Sequence, residues 1–122
     1  MMDKAQGIDS FWNGFGIPAY DENTVPANAV MPYITYATLY DNLDHPVVLT
    51  ASIWYRSTSW KDITKKADQI AENVGVGGKT IKLDDGYAYI TRGTPFAQRM
   101  NDTDDSVRRI YINLITEFLT AV

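Results

Sequence analysis

The chain has 122 residues, a length that suits one domain and leaves no room for a separate regulatory or cofactor module. Hydrophobic residues make up 45% and charged residues 21%, so we expect a packed core. A net charge of −4 argues against a dedicated nucleic-acid binder, because such proteins present basic surfaces to phosphates. The chain has no Cys, which excludes disulfides and thiolate metal sites, and it lacks an apolar run long enough to span a membrane. We therefore expect a protein that folds inside a cell and has no membrane partner.

The first 32 residues are predicted to form a short helix followed by an extended arm. Ile8, Phe11, Trp12 and Phe15 recur at the spacing of one helix face. The segment Ile17–Pro32 contains three prolines and no sustained periodicity, which indicates an irregular connection. Its apolar side chains should pack on the domain or on a neighbouring subunit.

Two strands are predicted next, joined by a turn. Tyr33–Tyr40 is rich in β-branched and aromatic residues, and the turn is formed by Asp41, Asn42, Asp44 and Pro46. Val47–Arg56 alternates, so that its odd-numbered positions through Tyr55 should face the core. Trp54 falls on the more polar side of this strand, which makes it a candidate for an interface.

A helix over about residues 59–74 is predicted from capping residues and an apolar stripe. Ser59 and Asp62 resemble a weak capping box. Trp60, Ile63 and Ile70 belong to a stripe with helical spacing, and we expect Trp60 to be buried. Glycines from Gly75 onward should end the helix.

The last third is predicted to contain a hairpin and a long final strand. Asp85-Gly86 separates two strand-like runs and suits a type I′ turn. Gly93, Thr94 and Pro95 should break the second run, which leaves Phe96–Met100 as a loop or a turn of helix. Arg108–Thr120 alternates and predicts the last strand.

These elements predict an α+β fold in which a mostly antiparallel sheet of four to five strands is covered by one main helix (about 59–74), with a short N-terminal helix in addition. Residues 1–122 would form a single domain, with the helix and arm in 1–32 and the α+β core in 33–122. The second face of the sheet must meet water or be covered by another chain.

Residues that carry catalysis or bind metals are sparse. His45 is the only His and lies between Asp44 and Pro46 in the predicted turn, without a positioned partner. The acidic run at 102–105 lacks the Gly and closing Glu of a calcium loop. The glycines before Lys79 follow a helix, whereas a phosphate-binding loop precedes one. We expect no enzyme activity, no cofactor and no metal.

Interface chemistry is better represented. Four arginines gather late in the chain and are interpreted either as solvated surface or as residues that pair with carboxylates of a neighbouring copy. Tyr, Trp and Arg are enriched at interface cores, which favours the second interpretation. The predicted interface residues are Tyr36, Trp54, Arg92, Arg99, Arg108, Arg109 and Tyr111.

Four segments together resemble a protein family: FWNGFGIPAYDENTVPANAVMPYITY, LTASIWYRSTSW, GGKTIKLDDGYAYITRGTPFAQRM and RRIYINLITEFLTAV. They are similar to the minor capsid or tail-completion proteins of long-tailed phages and prophages, from about residue 8 to the C-terminus. The resemblance rests on the succession of segments, since none of them is a chemical motif.

The resemblance implies a tail terminator or head–tail joining protein. Such a subunit forms a ring, commonly a hexamer, that caps the tail tube and meets the head connector. It would be a virion protein that assembles in the cytoplasm of the bacterial host, and DNA would pass through the ring without specific binding. Another neck component, such as a stopper, a connector adaptor or a minor capsid protein, stays open as an alternative, as does a small enzyme or ligand-binding domain with a deep polar pocket.

Overall fold

The computed structural model describes residues 3–37 and 46–120. The predicted turn with His45, and the end of the predicted strand at Tyr40, lie outside the described residues. The elements are α1 (Lys4–Trp12), a 3₁₀ turn (Asn13–Phe15), β1 (Ala19–Asp21), β2 (Tyr33–Tyr36), β3 (Val47–Arg56), α2 (Lys61–Val74), β4 (Lys79–Leu83), β5 (Gly86–Met100) and β6 (Val107–Thr120).

The strands form one curled, half-barrel sheet in the order β1-β2-β3-β6-β5-β4. β1 and β2 are parallel, and the other neighbouring strands are antiparallel. The prediction of a mostly antiparallel sheet of four to five strands, covered by one main helix with a short N-terminal helix in addition, is therefore wrong. Within the described residues the sheet is mixed, curled and six-stranded, and it is accompanied by two helices.

The extra strand lies in the arm that was predicted to be irregular. β1 is only three residues long, too short to show alternation, and it follows directly after Pro18. Its partner is β2, with Ala19 opposite Ile34 and Asp21 opposite Tyr36. Long-range pairing of this kind leaves no local pattern in a proline-containing segment, which is why the sequence did not indicate it.

β5 corrects the prediction for Phe96–Met100, which is strand and not a loop or a turn of helix. Arg92 pairs with Leu114 of β6, and the next pair along the strands is Ala97 with Ile112. Between these two pairs β5 has four residues, 93–96, and β6 has one, so the extra residues of β5 form a bulge. The Gly-Thr-Pro sequence bends the strand without ending it, as bulges do.

The hairpin between β4 and β5 turns one residue earlier than predicted. Leu83 pairs with Gly86, so the turn residues are Asp84 and Asp85. No described residue other than Gly has a positive φ, which excludes the predicted type I′ turn.

Both helices contribute to a single core on one face of the sheet. α1 begins with a capping box between Asp3 and Gln6 and ends with its aromatic residues buried. Gly7 lies so close to β4 that a Cβ there would come within 2.5 Å of the Leu83 side chain. α2 begins at Lys61, with Trp60 rather than Ser59 at its N-cap. The core contains Ile8, Phe11, Trp12, Phe15, Ile34, Tyr36, Leu49, Ala51, Ile53, Ile63, Ala67, Ile70, Val74, Ile110, Ile112 and Leu114, among others.

The bulge in β5 yields a stability prediction. A Cβ on Gly93 would lie 2.5 Å from the main-chain oxygen of Asn113, which cannot move without disturbing β6. We expect Gly93→Ala to lower the free energy of unfolding by about 1–3 kcal/mol, as overpacking does. Urea denaturation measures the change, and Gly77→Ala is the control because a Cβ there meets nothing within 4 Å. Equal stability of the two variants would contradict the described bulge.

Candidate functional site

The face of the sheet opposite the helices is here called the open face. Side chains alternate along each strand, so the neighbours of the core residues of β3 and β6 point away from the helices. The cross-strand pairs Thr50–Asn113, Ser52–Tyr111 and Trp54–Arg109 lie there. No helix within residues 3–37 and 46–120 packs on this face. The side chains on this face include Tyr33, Thr35, Val48, Thr50, Ser52, Trp54, Tyr87, Arg109, Tyr111, Asn113, Ile115, Glu117 and Leu119.

One half of the open face is aromatic and carries one cation. The Arg109 guanidinium lies over the Trp54 ring, 4.8 Å from its centroid, and Arg109 Nε donates to Ser52 Oγ at 3.0 Å. Trp54 Nε1 donates to Thr35 Oγ1 at 2.9 Å, and the Tyr33 ring lies 6.5 Å from Trp54. These contacts hold the Trp and Arg side chains in fixed positions. We call this group the Trp54 patch; its residues are Tyr33, Thr35, Ser52, Trp54, Arg109 and Tyr111.

A pocket of about 330 Å³ lies over the Trp54 patch, and Glu22, Val25 and Thr50 also line it. The two terminal nitrogens of Arg109 bond to no residue that the structure describes. The guanidinium therefore presents unused donors above an aromatic surface, an arrangement suited to a carboxylate next to an apolar group.

The other half of the open face carries exposed hydrophobic side chains on either side of Glu117. Val48 is 47% exposed and pairs with Ile115, which is 37% exposed. Leu119 and Tyr87 form a second exposed pair at 53% and 46%. Of the six large hydrophobic side chains exposed within the described residues, these four share one face. Clustered exposure of this kind marks an interaction site, whereas scattered exposure does not.

The predicted arginine cluster is divided by the sheet. Arg92 lies on the helix side, where it donates through Nε (3.1 Å) and Nη2 (2.7 Å) to the carbonyl of Ala71 near the C-terminus of α2. The Arg99 and Arg108 guanidinium groups lie 4.7 and 5.3 Å from the Trp60 ring centroid. Of the four, only Arg109 lies on the open face.

Strand geometry explains this division. Arg108 and Arg109 are consecutive in β6 and therefore point to opposite faces. Arg92 and Arg99 lie opposite Leu114 and Ile110, which are core residues, and so they point to the helix side. The alternation already visible in the last strand could have separated Arg108 from Arg109.

The other predicted interface residues are also sorted by face. Trp54 and Tyr111 join Arg109 on the open face. Tyr36 instead is 5% exposed on the helix side, and its hydroxyl donates to Oδ1 of the exposed Asp9 at 2.6 Å. Trp60 was expected to be buried and is half-buried instead. Tyr33, Val48 and Ile115 also lie on the open face but were not among the predicted interface residues. Strand alternation could have indicated Val48, which is two residues from Thr50 and shares its side of β3.

Two titratable groups, Asp104 and Tyr55, have pKa values that are shifted by their local surroundings. Hydrogen bonds from Ser106 lower the pKa of Asp104, and the nearby Arg56 lowers it further. Burial raises the pKa of Tyr55, and Asp62 adds to the effect. Neither group lines the Trp54 patch. Among the residues that the structure describes, there is no group of three or more His, Cys, Asp or Glu that could hold a metal ion.

Arg108 has a structural role that can be measured. Its Nη2 donates to the Thr58 carbonyl at 2.8 Å and its Nη1 to the Asp105 carbonyl at 3.0 Å, so that it ties the start of β6 to the segment before α2. We expect Arg108→Ala to lower the free energy of unfolding by about 1–3 kcal/mol. Arg99→Ala, which loses a ring contact and no hydrogen bond, should cost less than about 1 kcal/mol. Thermal or urea denaturation of both variants tests this ranking, and the reverse order would contradict it.

No protein-family model matches the chain, and no curated protein matches it as a relative. Within the described residues, no helix is both long enough and apolar enough to cross a membrane.

Proposed function

We propose that the chain is a structural subunit of a long-tailed phage, a tail terminator or head–tail joining protein that forms a ring on the tail tube. The observation that carries the proposal is the open face: a large, preorganised surface that combines Trp, Tyr, Arg and exposed aliphatic side chains. These residue types dominate the energetic centres of protein interfaces. The resemblance of the four sequence segments to tail-completion proteins supplies the biological setting.

The sheet edge at β1 is poorly suited to assembly, which favours the open face. Asn13 Oδ1 accepts from the Ala19 amide at 2.9 Å, and Asn13 Nδ2 donates to the Ala19 carbonyl at 3.3 Å. The side chain thereby occupies main-chain groups that an added strand would need. We therefore assign the assembly contacts to side chains on the face of the sheet and not to extension of the sheet at β1.

A ring of identical copies needs a heterologous contact, in which two different surfaces of the subunit meet and the rotation closes. In this proposal the open face supplies one of these surfaces or receives the tail tube protein, and a six-membered ring meets the head connector on its other side. The net charge of −4 suits a channel through which DNA slides, because an anionic wall does not hold phosphates.

The experiment is to add purified chain to tail tubes that lack it and to image the tube ends by negative stain. We expect rings at the tube ends, and tubes that then join filled heads. If the chain binds filled heads but does not bind tail tubes, the result favours the alternative, another neck component such as a stopper, connector adaptor or minor capsid protein. Chain that binds neither would contradict both assignments.

A further inference from the structure

The open face of β6 is complementary to itself about its centre. Asn113 is the midpoint of the alternating series. Two residues away on either side stand Tyr111 and Ile115, an aromatic ring and an exposed aliphatic side chain. Four residues away stand Arg109 and Glu117, which carry opposite charges. Reversal of the strand about Asn113 therefore exchanges each residue with one that complements it.

Both charged residues are available for a new contact. The Glu117 side chain is exposed and makes no ion pair or hydrogen bond with any described residue. Among the described residues, the Arg109 side chain donates a hydrogen bond only through Nε, so its two terminal nitrogens have no partner there. They are eight positions apart on the same strand, roughly 26 Å, which is too far for them to pair within one chain.

We propose that a second copy of this chain packs on the open face about a two-fold axis that runs between the two sheets, perpendicular to β6 and over Asn113. The two β6 strands are then antiparallel, and Arg109 of each copy faces Glu117 of the other. Charge complementarity identifies the occupant, because one patch supplies both partners of the ion pair, as a two-fold contact requires.

The neighbouring strand fits the same axis. Thr50 is the register partner of Asn113, so β3 of one copy lies over β3 of the other. The arrangement brings Tyr111 and Ser52 of one copy over the exposed Ile115–Val48 pair of the other. Packed sheets lie about 10 Å apart, a gap that Arg and Glu side chains bridge from opposite sides. The exposed aliphatic pair is then covered, and both charges are paired.

This inference goes beyond the proposed function, because it concerns the free chain and holds whether or not the chain closes phage tails. A two-fold contact and the heterologous contact of a ring cannot use the open face at the same time. The dimer is thus the form in which the surface is covered before assembly, and assembly on a tail must displace the second copy.

Exchange of the two charges tests the dimer. Sedimentation equilibrium of the purified chain gives its dimer dissociation constant, and we expect Glu117→Arg and Arg109→Glu each to raise that constant by at least about 30-fold. The double variant Arg109→Glu/Glu117→Arg should return it to within a few-fold of wild type. Glu117 is exposed and unpaired, so its single variant should stay folded, which circular dichroism verifies. The proposal is overturned if the wild-type chain is monomeric at about 100 µM, or if neither single variant changes the dissociation constant. It is also overturned if the dissociation constant of the double variant stays as high as those of the single variants.

Cross-linking tests the position of the axis. Since the chain has no Cys, Asn113→Cys introduces a single thiol beside the proposed axis. A short bismaleimide should link two such chains, and Val76→Cys, 94% exposed and outside the open face, should stay unlinked. Equal linking of both variants, or of Val76→Cys alone, would overturn this axis. Neither of these two experiments contains tail tubes, so their results are independent of the tube-capping experiment. A chain that dimerises but does not cap tubes refutes only the proposed function. A chain that caps tubes but is monomeric when free refutes only the dimer.

Discussion

Ile70→Asp is expected to abolish folding of the domain. Ile70 lies in the middle of α2, has no solvent exposure and packs in the core shared by both helices and the sheet. An unpaired carboxylate at such a position costs several kcal/mol, and a domain of this size has only about 5–15 kcal/mol of stability. Far-UV circular dichroism and urea denaturation should show an unfolded chain under native conditions.

Gln69→Asp is the matched control, because it introduces the same side chain one position earlier, on the exposed side of α2. It should stay folded and lose no more than about 1 kcal/mol, mainly from helix propensity and from its hydrogen bond with Lys66. A folded, soluble Ile70→Asp chain would show that α2 buries a different face.

Arg109→Glu is expected to leave the subunit folded and to prevent tail completion. The substitution removes the unused donors of Arg109 from the Trp54 patch and puts a carboxylate in their place. Loss of a close charge pair costs about 2–5 kcal/mol per contact, and a ring repeats that loss at every subunit. Infectious particles should fall by at least about 100-fold, measured with phage that carry the variant gene, while circular dichroism of the purified chain stays native.

The control for that variant is Arg99→Glu, which has the same charge change on the helix side of the sheet. The Arg99 side chain contacts Trp60 there and makes no hydrogen bond with the described residues. It should complete tails nearly as well as wild type. Normal tails with Arg109→Glu, or equal failure of both variants, would remove the open face as the assembly surface. The sheet thus separates Arg109 from the three other predicted interface arginines, which lie on the helix side.

Local patterns predicted the elements whose side chains alternate or recur regularly. The stripe through Ile63 and Ile70 correctly indicated α2, and the alternation of Val47–Arg56 correctly separated core residues from Trp54. These patterns succeed because burial on one face imposes its period directly on the sequence.

The missed features depend on contacts between distant segments. β1 is held by parallel pairing with β2, and the second part of β5 is held by β6 across a bulge. Neither relation leaves a local period. The candidate site was predicted only in part. Alternation identified Trp54, but closeness in sequence wrongly grouped Arg108 with Arg109, which the sheet places on opposite sides.

Hydroxyl-radical footprinting of the chain on tail tubes tests the assembly surface most directly. We expect Trp54, Tyr111 and Ile115 to be oxidised much less in chain that is bound to tail tubes than in dilute free chain. Val76, which is exposed and lies outside the open face, should be oxidised equally in both states. Unchanged oxidation of the three open-face residues in tube-bound chain would contradict the claim that this face mediates assembly.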